Sequence, residues 1–173
     1  MNYCAIKDCD VADGPGVRVT LFVSGCTNHC EGCFQPQTWD FDYGEPYTPD
    51  TQAHLLSLLG RPYIRGLTLL GGEPMEPANQ PSVLSLMRAV RESLPGKDIW
   101  LYSGFTYEAL TCPGSRCHTG VTGEILSLAD VLVDGPFILA KKDLMLRFRG
   151  SSNQRLLDMP QTLLAGAPVA WNG

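Results

Sequence analysis

Three cysteines, Cys26, Cys30 and Cys33, lie within eight positions of the chain. Three thiols in one short loop can surround a single compact metal centre. In a chain with 7 cysteines this spacing would arise by chance with odds on the order of one in a hundred. A structural zinc site would need a fourth ligand and usually two ligand pairs, so the spacing favours an iron–sulfur cluster. One iron would then lack a protein ligand and could bind a substrate.

A second candidate is the run Gly71-Gly72-Glu73-Pro74, which follows an apolar segment. Glycines let backbone groups approach a ligand closely, and a carboxylate accepts hydrogen bonds from an ammonium group. On its own such a run more often forms a turn. Ser103 and Asp134 end two later apolar segments, where they could bind a ligand or cap a turn or helix.

The elements that must position these residues alternate along the chain. Segments rich in β-branched and aromatic residues predict strands over 17–23, 64–70, 98–103 and 131–133, with a fifth over 144–148. Capping and helical spacing predict helices over 48–60, 82–94 and 123–129. This alternation predicts an α/β fold with a mostly parallel sheet, so the candidate residues should meet at the carboxyl edge.

Length and composition narrow the function further. The 173 residues predict a single domain, 1–173, with a core over about 13–158 and a tail over 159–173. They are too few for a complete eight-fold barrel. A net charge of −5 argues against nucleic-acid binding. We also expect no membrane span, and a cytoplasmic location because no secretory signal begins the chain. The odd number of cysteines disfavours complete disulfide pairing.

The three-cysteine loop after a first strand resembles that of the radical S-adenosylmethionine (SAM) enzymes. The resemblance implies a truncated radical SAM β/α barrel in which Cys26, Cys30 and Cys33 hold a [4Fe–4S] cluster and SAM binds the fourth iron. It also implies that residues 71–74 bind the SAM amino group. Many members carry an aromatic residue just before the third cysteine. There it contacts the adenine of SAM. In this chain Gly32 holds that position, and the aromatic residue that follows Cys33 is the candidate for the adenine contact. The remaining cofactor-binding candidates by resemblance are Phe34, Ser103 and Asp134.

Further segments resemble one group of these enzymes in particular. Residues 13–18 resemble the opening of glycyl-radical activating enzymes, and 95–100, 131–135 and 147–154 resemble activating proteins of anaerobic ribonucleotide reductase. The implied reaction removes a hydrogen atom from a glycine of anaerobic ribonucleoside-triphosphate reductase, with an electron donor such as a flavodoxin-like protein. The candidates for contact with this partner are Asp13, Gly14, Gly16 and Arg18.

Other interpretations stay open at this stage. A small radical SAM enzyme acting on a metabolite, or one acting on another glycyl-radical enzyme, fits the same spacing. A non-catalytic electron carrier or a zinc-bearing module would use the thiols but not the glycine run. Four further cysteines are either free thiols or a second metal site, and they are Cys4, Cys9, Cys112 and Cys117.

Overall fold

The computed structural model describes all 173 residues and is built around an open seven-stranded sheet. The strands are β1 (Asn2–Asp10), β2 (Val17–Val23), β3 (Glu45–Pro46), β4 (Ile64–Gly71), β5 (Asp98–Tyr102), β6 (Val131–Asp134) and β7 (Arg155–Asp158). Their spatial order is β3-β1-β2-β4-β5-β6-β7. The central strands β2, β4, β5 and β6 are parallel, and the flanking strands β1, β3 and β7 pair antiparallel.

Four of the five helices lie between parallel strands along the chain, and the fifth follows β7. They are α1 (Pro49–Leu59), α2 (Gln80–Ser93), α3 (Tyr107–Thr111), α4 (Thr122–Leu128) and α5 (Met159–Ala165). Helix α1 begins at a capping box, in which the Thr48 side chain accepts from the backbone N–H of Thr51 and Pro49 occupies the first turn. None of the helices has the length and apolar character needed to cross a bilayer.

The two faces of the sheet differ in chemistry. Alternate residues such as Leu21, Leu69 and Leu101 point into the main apolar core against the helices. The opposite face carries larger polar and aromatic residues, among them Arg18 and Trp100. Near the end of the chain, Trp171 packs edge-on against Trp100 with ring centroids 4.9 Å apart.

The predicted α/β alternation is confirmed. The four predicted parallel strands and the three predicted helices form within a few residues of their predicted bounds. The strand predicted over 144–148 is wrong, because these residues form turns. The carboxylate of Asp143 accepts from the backbone N–H of Met145, and Phe148 has a left-handed φ of 60°, which an extended strand cannot contain. The last strand is instead β7, antiparallel to β6.

Candidate cluster site and cofactor cleft

A cleft of about 470 Å³ opens at the carboxyl ends of the parallel strands. The loop after β2 contributes Cys26, Cys30 and Cys33 to its wall, and the end of β4 with the loop after it contributes residues 71–74. Ser103 follows β5, and Gly135 follows β6. The parallel pairing of four consecutive strands places these loops along one edge of the sheet, as the sequence predicts.

Packing against aromatic side chains restricts the backbone conformation of the cysteine loop. His29 adopts a left-handed φ of 46°, and its ring stacks on Trp39 with centroids 4.5 Å apart. Gly25 has a φ of 92°, and a Cβ at this position would lie 2.3 Å from the ring of Phe41. Only glycine satisfies both conditions there. The loop that carries the three thiols is therefore held in place by packing against Trp39 and Phe41.

The three thiols are free and line the cleft. Burial raises the pKa of Cys26 to about 11 and also raises the pKa of Cys30. A bound cation would reverse this effect, because metal ligation requires thiolates and releases their protons. Nowhere do three or more His, Cys, Asp or Glu side chains close on a point that could hold one metal ion. Iron–sulfur clusters are held by cysteine thiolates, so three free thiols along one wall are donors of the kind that such a cluster accepts.

Glu73 is the polar centre of the cleft wall and is 1% exposed. The backbone N–H groups of Met75 and Gly104 donate to its carboxylate over 2.9 and 2.7 Å. The Ser103 hydroxyl and the Asn28 amide donate to it over 2.9 and 3.0 Å. Burial raises the pKa of Glu73 to about 7. Four hydrogen bonds occupy both oxygens, so the carboxylate joins the loops after β2, β4 and β5.

The two glycines before Glu73 are pressed against the neighbouring strand. Gly71 has a φ of 111°, and a Cβ there would lie 2.7 Å from the backbone of Val23. A Cβ on Gly72 would lie 2.8 Å from the carbonyl oxygen of Gly25. Any side chain at either position would push the glycine run away from the cysteine loop. The sequence run thus has a packing role in addition to any ligand-binding role.

The other cofactor-binding candidates occupy different environments. Phe34 lines the cleft and is 66% exposed, with its ring 5.3 Å from that of Phe137. Asp134 does not line the cleft and is fully buried, which contradicts its predicted ligand role. It accepts from the backbone N–H of Tyr107 over 2.7 Å and pairs with Arg155 over 2.5 Å. Its carboxylate therefore stabilises the start of α3 and the attachment of β7.

Of the four residues predicted to face a partner, only Asp13 lines the cleft. The expectation that Arg18 lines the opening is wrong, because its side chain is completely buried near the amino end of β2. Its guanidinium group lies 2.6 Å from Asp98 and donates to Thr68 over 2.6 Å. Gly14 and Gly16 have φ values of 138° and 76° and form the turn that leads into β2.

Sequence reasoning missed several residues of the cleft wall. They share the ligand-facing side of the sheet or adjoining turns, and they are Phe22, Trp39, Leu70, Tyr102 and Phe148. The Tyr102 hydroxyl donates to the carbonyl oxygen of Phe148 over 2.9 Å. Alternation along β2, β4 and β5 could have assigned three of them to one face, since their neighbours Leu21, Leu69 and Leu101 belong to the core.

None of the remaining four cysteines lines the cleft. Cys9 and Cys112 are exposed, and Cys117 is buried. The Cys4 thiol faces the Gln35 side chain with 3.9 Å between sulfur and oxygen. None of the four is paired in a disulfide.

Asp13 should make stability depend on pH. Burial and the adjacent Asp10 carboxyl raise the pKa of Asp13 to about 7 from an ordinary value of 3.8. Between these values the folded chain keeps a proton that the unfolded chain has lost, so the free energy of unfolding should fall as pH rises. Asp13→Asn should remove this contribution. Urea unfolding of both proteins from pH 4 to pH 8 measures it, and identical pH profiles would contradict the assignment.

Known proteins match this chain over most of its length. Residues 12–157 match a family model described as a 4Fe-4S single cluster domain. Three relatives are named anaerobic ribonucleoside-triphosphate reductase-activating protein. The one from Escherichia coli (strain K12) is 38% identical over 89% of this chain and 96% of its own length. The one from Enterobacteria phage T4 is 40% identical over 90% and 93%. The one from Vibrio cholerae is 42% identical over 89% and 96%.

The family model covers the cysteine loop, the glycine run and every parallel strand. The cleft, with its three free thiols, lies wholly inside the matched region. The chain therefore belongs to the family of anaerobic ribonucleoside-triphosphate reductase-activating proteins, with a 4Fe–4S single cluster domain.

Proposed function

We propose that this protein is a radical SAM enzyme that forms a glycyl radical on anaerobic ribonucleoside-triphosphate reductase. The observation that carries the proposal is the shared cleft, in which a three-thiol loop faces the glycine run across neighbouring strand ends. An electron carrier or a structural zinc module has no use for a ligand-sized cleft beside its metal. The names of the relatives supply the partner, since each is a reductase-activating protein.

In this proposal Cys26, Cys30 and Cys33 hold the [4Fe–4S] cluster. Residues 71–74 bind the methionyl end of SAM. Because the Glu73 oxygens are already engaged, backbone carbonyls of the glycine run are the acceptors for its ammonium group. Phe34 offers an exposed aromatic face at the cleft for the adenine. Ser103 acts through Glu73, to which it donates a hydrogen bond.

When bound, the reduced cluster and SAM would supply a 5′-deoxyadenosyl radical, which would take a hydrogen atom from a glycine Cα of the reductase. The chain's own residues provide the enclosure. Phe22, Leu70 and Tyr102 form an apolar floor that keeps water from the reacting atoms. Glycine suits the substrate role because it has no side chain to block its Cα.

The cleft must also admit a peptide. The sheet is open, and we interpret it as an incomplete β/α barrel whose missing strands leave room for a partner segment. Exposed apolar side chains follow β6 in the segment that borders the cleft, including Leu139, Leu144 and Met145. Such side chains are typical of a surface that a partner covers. Asp13 is the remaining candidate for contact with the partner's backbone.

The proposal includes a one-electron donor such as a flavodoxin-like protein and a cytoplasmic location, where reduced thiols persist. Its test combines anaerobic reconstituted protein, SAM, a reductant and the reductase, followed by electron paramagnetic resonance (EPR). We expect the doublet of a glycyl radical together with formation of 5′-deoxyadenosine. A reductase whose radical-bearing glycine is replaced by alanine is the control and should give no doublet.

Two outcomes would contradict the proposal. If SAM leaves the EPR signal of the reduced cluster unchanged, the protein does not bind SAM at its cluster. If 5′-deoxyadenosine forms with a small metabolite and never depends on the reductase, the protein is a different radical SAM enzyme.

A further inference from the structure

We propose that Arg116 is a positioning residue for the cysteine loop, holding its first half in place and setting the reduction potential of the cluster. The inference rests on the proposed ligation of that cluster by Cys26, Cys30 and Cys33. Arg116 belongs to the segment 112–118, between α3 and α4, where the sequence shows two cysteines without an assigned role.

The guanidinium group of Arg116 makes two hydrogen bonds to the cysteine loop. One nitrogen donates to the Thr27 hydroxyl, and the other donates to the Asn28 side-chain oxygen over 2.7 Å. Thr27 and Asn28 follow Cys26 directly. The planar guanidinium fork therefore engages two successive residues between the first and second cysteines.

Thr27 and Asn28, which accept these bonds, also donate hydrogen bonds to buried carboxylates. The Thr27 backbone N–H and hydroxyl donate to Glu76 over 2.8 and 2.5 Å, and Arg116 itself lies 3.6 Å from this carboxylate. The Asn28 amide donates to Glu73 over 3.0 Å. Because its oxygen is held by Arg116, Asn28 is oriented with its N–H toward Glu73. The arginine thus completes a network that joins the cysteine loop to the glycine run.

The segment that carries Arg116 is itself firmly held. Cys117 is completely buried, and its carbonyl oxygen accepts from the side chain of Gln80 over 2.7 Å. A ring nitrogen of His118 lies 2.8 Å from the carbonyl oxygen of Leu110. The Arg116 guanidinium also lies 4.4 Å from the centre of the Phe105 ring. This explains Cys117 as a packing residue of the support rather than a metal ligand.

The charge of Arg116 has a second consequence. Its positive group bonds to Thr27, which follows Cys26 directly, and lies 3.6 Å from the Glu76 carboxylate, so its removal would leave that negative group uncompensated beside the loop. A nearby cation favours the more negatively charged state of a metal centre, which is its reduced state. Arg116 should therefore raise the reduction potential of the bound cluster and ease its one-electron reduction.

The test uses Arg116→Gln, which removes the charge, and Arg116→Lys, which keeps the charge but loses the fork. After anaerobic reconstitution, iron per chain, the EPR line shape of the reduced cluster and its midpoint potential are measured. We expect Arg116→Gln to shift the potential to more negative values and to alter the line shape. Arg116→Lys should keep a potential near that of the unmodified protein while its line shape stays altered.

Arg88→Gln is the matched control, because Arg88 has the same 53% side-chain exposure and pairs with Glu124 away from the cleft. It should leave all three readouts unchanged. Loss of iron in Arg116→Gln alone would support the proposal. Equal loss in Arg88→Gln, or an unchanged potential and line shape in Arg116→Gln, would overturn it. Failure of the glycyl-radical experiment would reject the proposed function and leave this measurement valid, since it requires neither SAM nor the reductase.

Discussion

Replacing Cys26, Cys30 or Cys33 with alanine should reduce the iron content of the reconstituted protein from about four atoms per chain to nearly none. All three thiols line one cleft and none is paired in a disulfide. In the proposed ligation the cluster has only three protein ligands, so the loss of one should release it. Glycyl-radical formation should be lost completely in each variant. Iron analysis and EPR of the reduced protein measure the effect.

Two exposed cysteines provide matched controls for this experiment. Cys9→Ala and Cys112→Ala remove thiols that are exposed and lie outside the cleft. Both should retain full iron content and radical formation. If a variant at Cys26, Cys30 or Cys33 kept its iron while Cys112→Ala lost it, the assignment of the ligands would be wrong.

Glu73→Ala should cause the second large effect, in both stability and activity. The substitution leaves the buried N–H of Met75 and the part-buried N–H of Gly104 without an acceptor and frees the side chains of Ser103 and Asn28. At about 1–3 kcal/mol for each buried group left unpaired, we expect a loss of roughly 3 kcal/mol or more in the free energy of unfolding. Urea unfolding monitored by circular dichroism provides the measurement.

The same substitution separates a structural role from a role at the cofactor. Because Glu73 joins the glycine run to the cysteine loop, Glu73→Ala should also abolish the effect of SAM on the EPR spectrum of any cluster that remains. Glu124→Ala removes an exposed carboxylate with a single arginine partner and should change neither property appreciably. If Glu73→Ala kept the wild-type free energy of unfolding, the hydrogen bonds to Glu73 would not stabilise the fold.

Much of the fold could be predicted because its signals are local. Thr48 and Pro49 mark the start of α1, and apolar β-branched runs mark the parallel strands. The antiparallel strand β1 was missed because it carries charged residues such as Lys7 and Asp8 in place of an apolar run. The false strand over 144–148 has suitable residue types, but the left-handed backbone at Phe148 excludes an extended strand there.

The residues of the candidate site also divide into those that a local sequence pattern indicates and those that only the folded structure reveals. Cys26, Cys30 and Cys33 could be proposed as ligands from their spacing alone, and the structure places all three on the wall of one cleft. Arg18 and Asp134 were assigned wrongly because a charged residue looks the same in sequence whether it faces a ligand or a buried partner. Their partners, Asp98 and Arg155, lie far away in the chain, so only the folded sheet reveals these pairs.

The sequence by itself determined the cysteine loop, the glycine run and the order of strands and helices, because each depends on residues close together in the chain. The tertiary structure decided what surrounds them. It placed Glu73 at the centre of four hydrogen bonds, and it brought Arg116 from another segment onto Thr27 and Asn28. Contacts between residues so distant along the chain follow from strand pairing and packing, which no local pattern encodes.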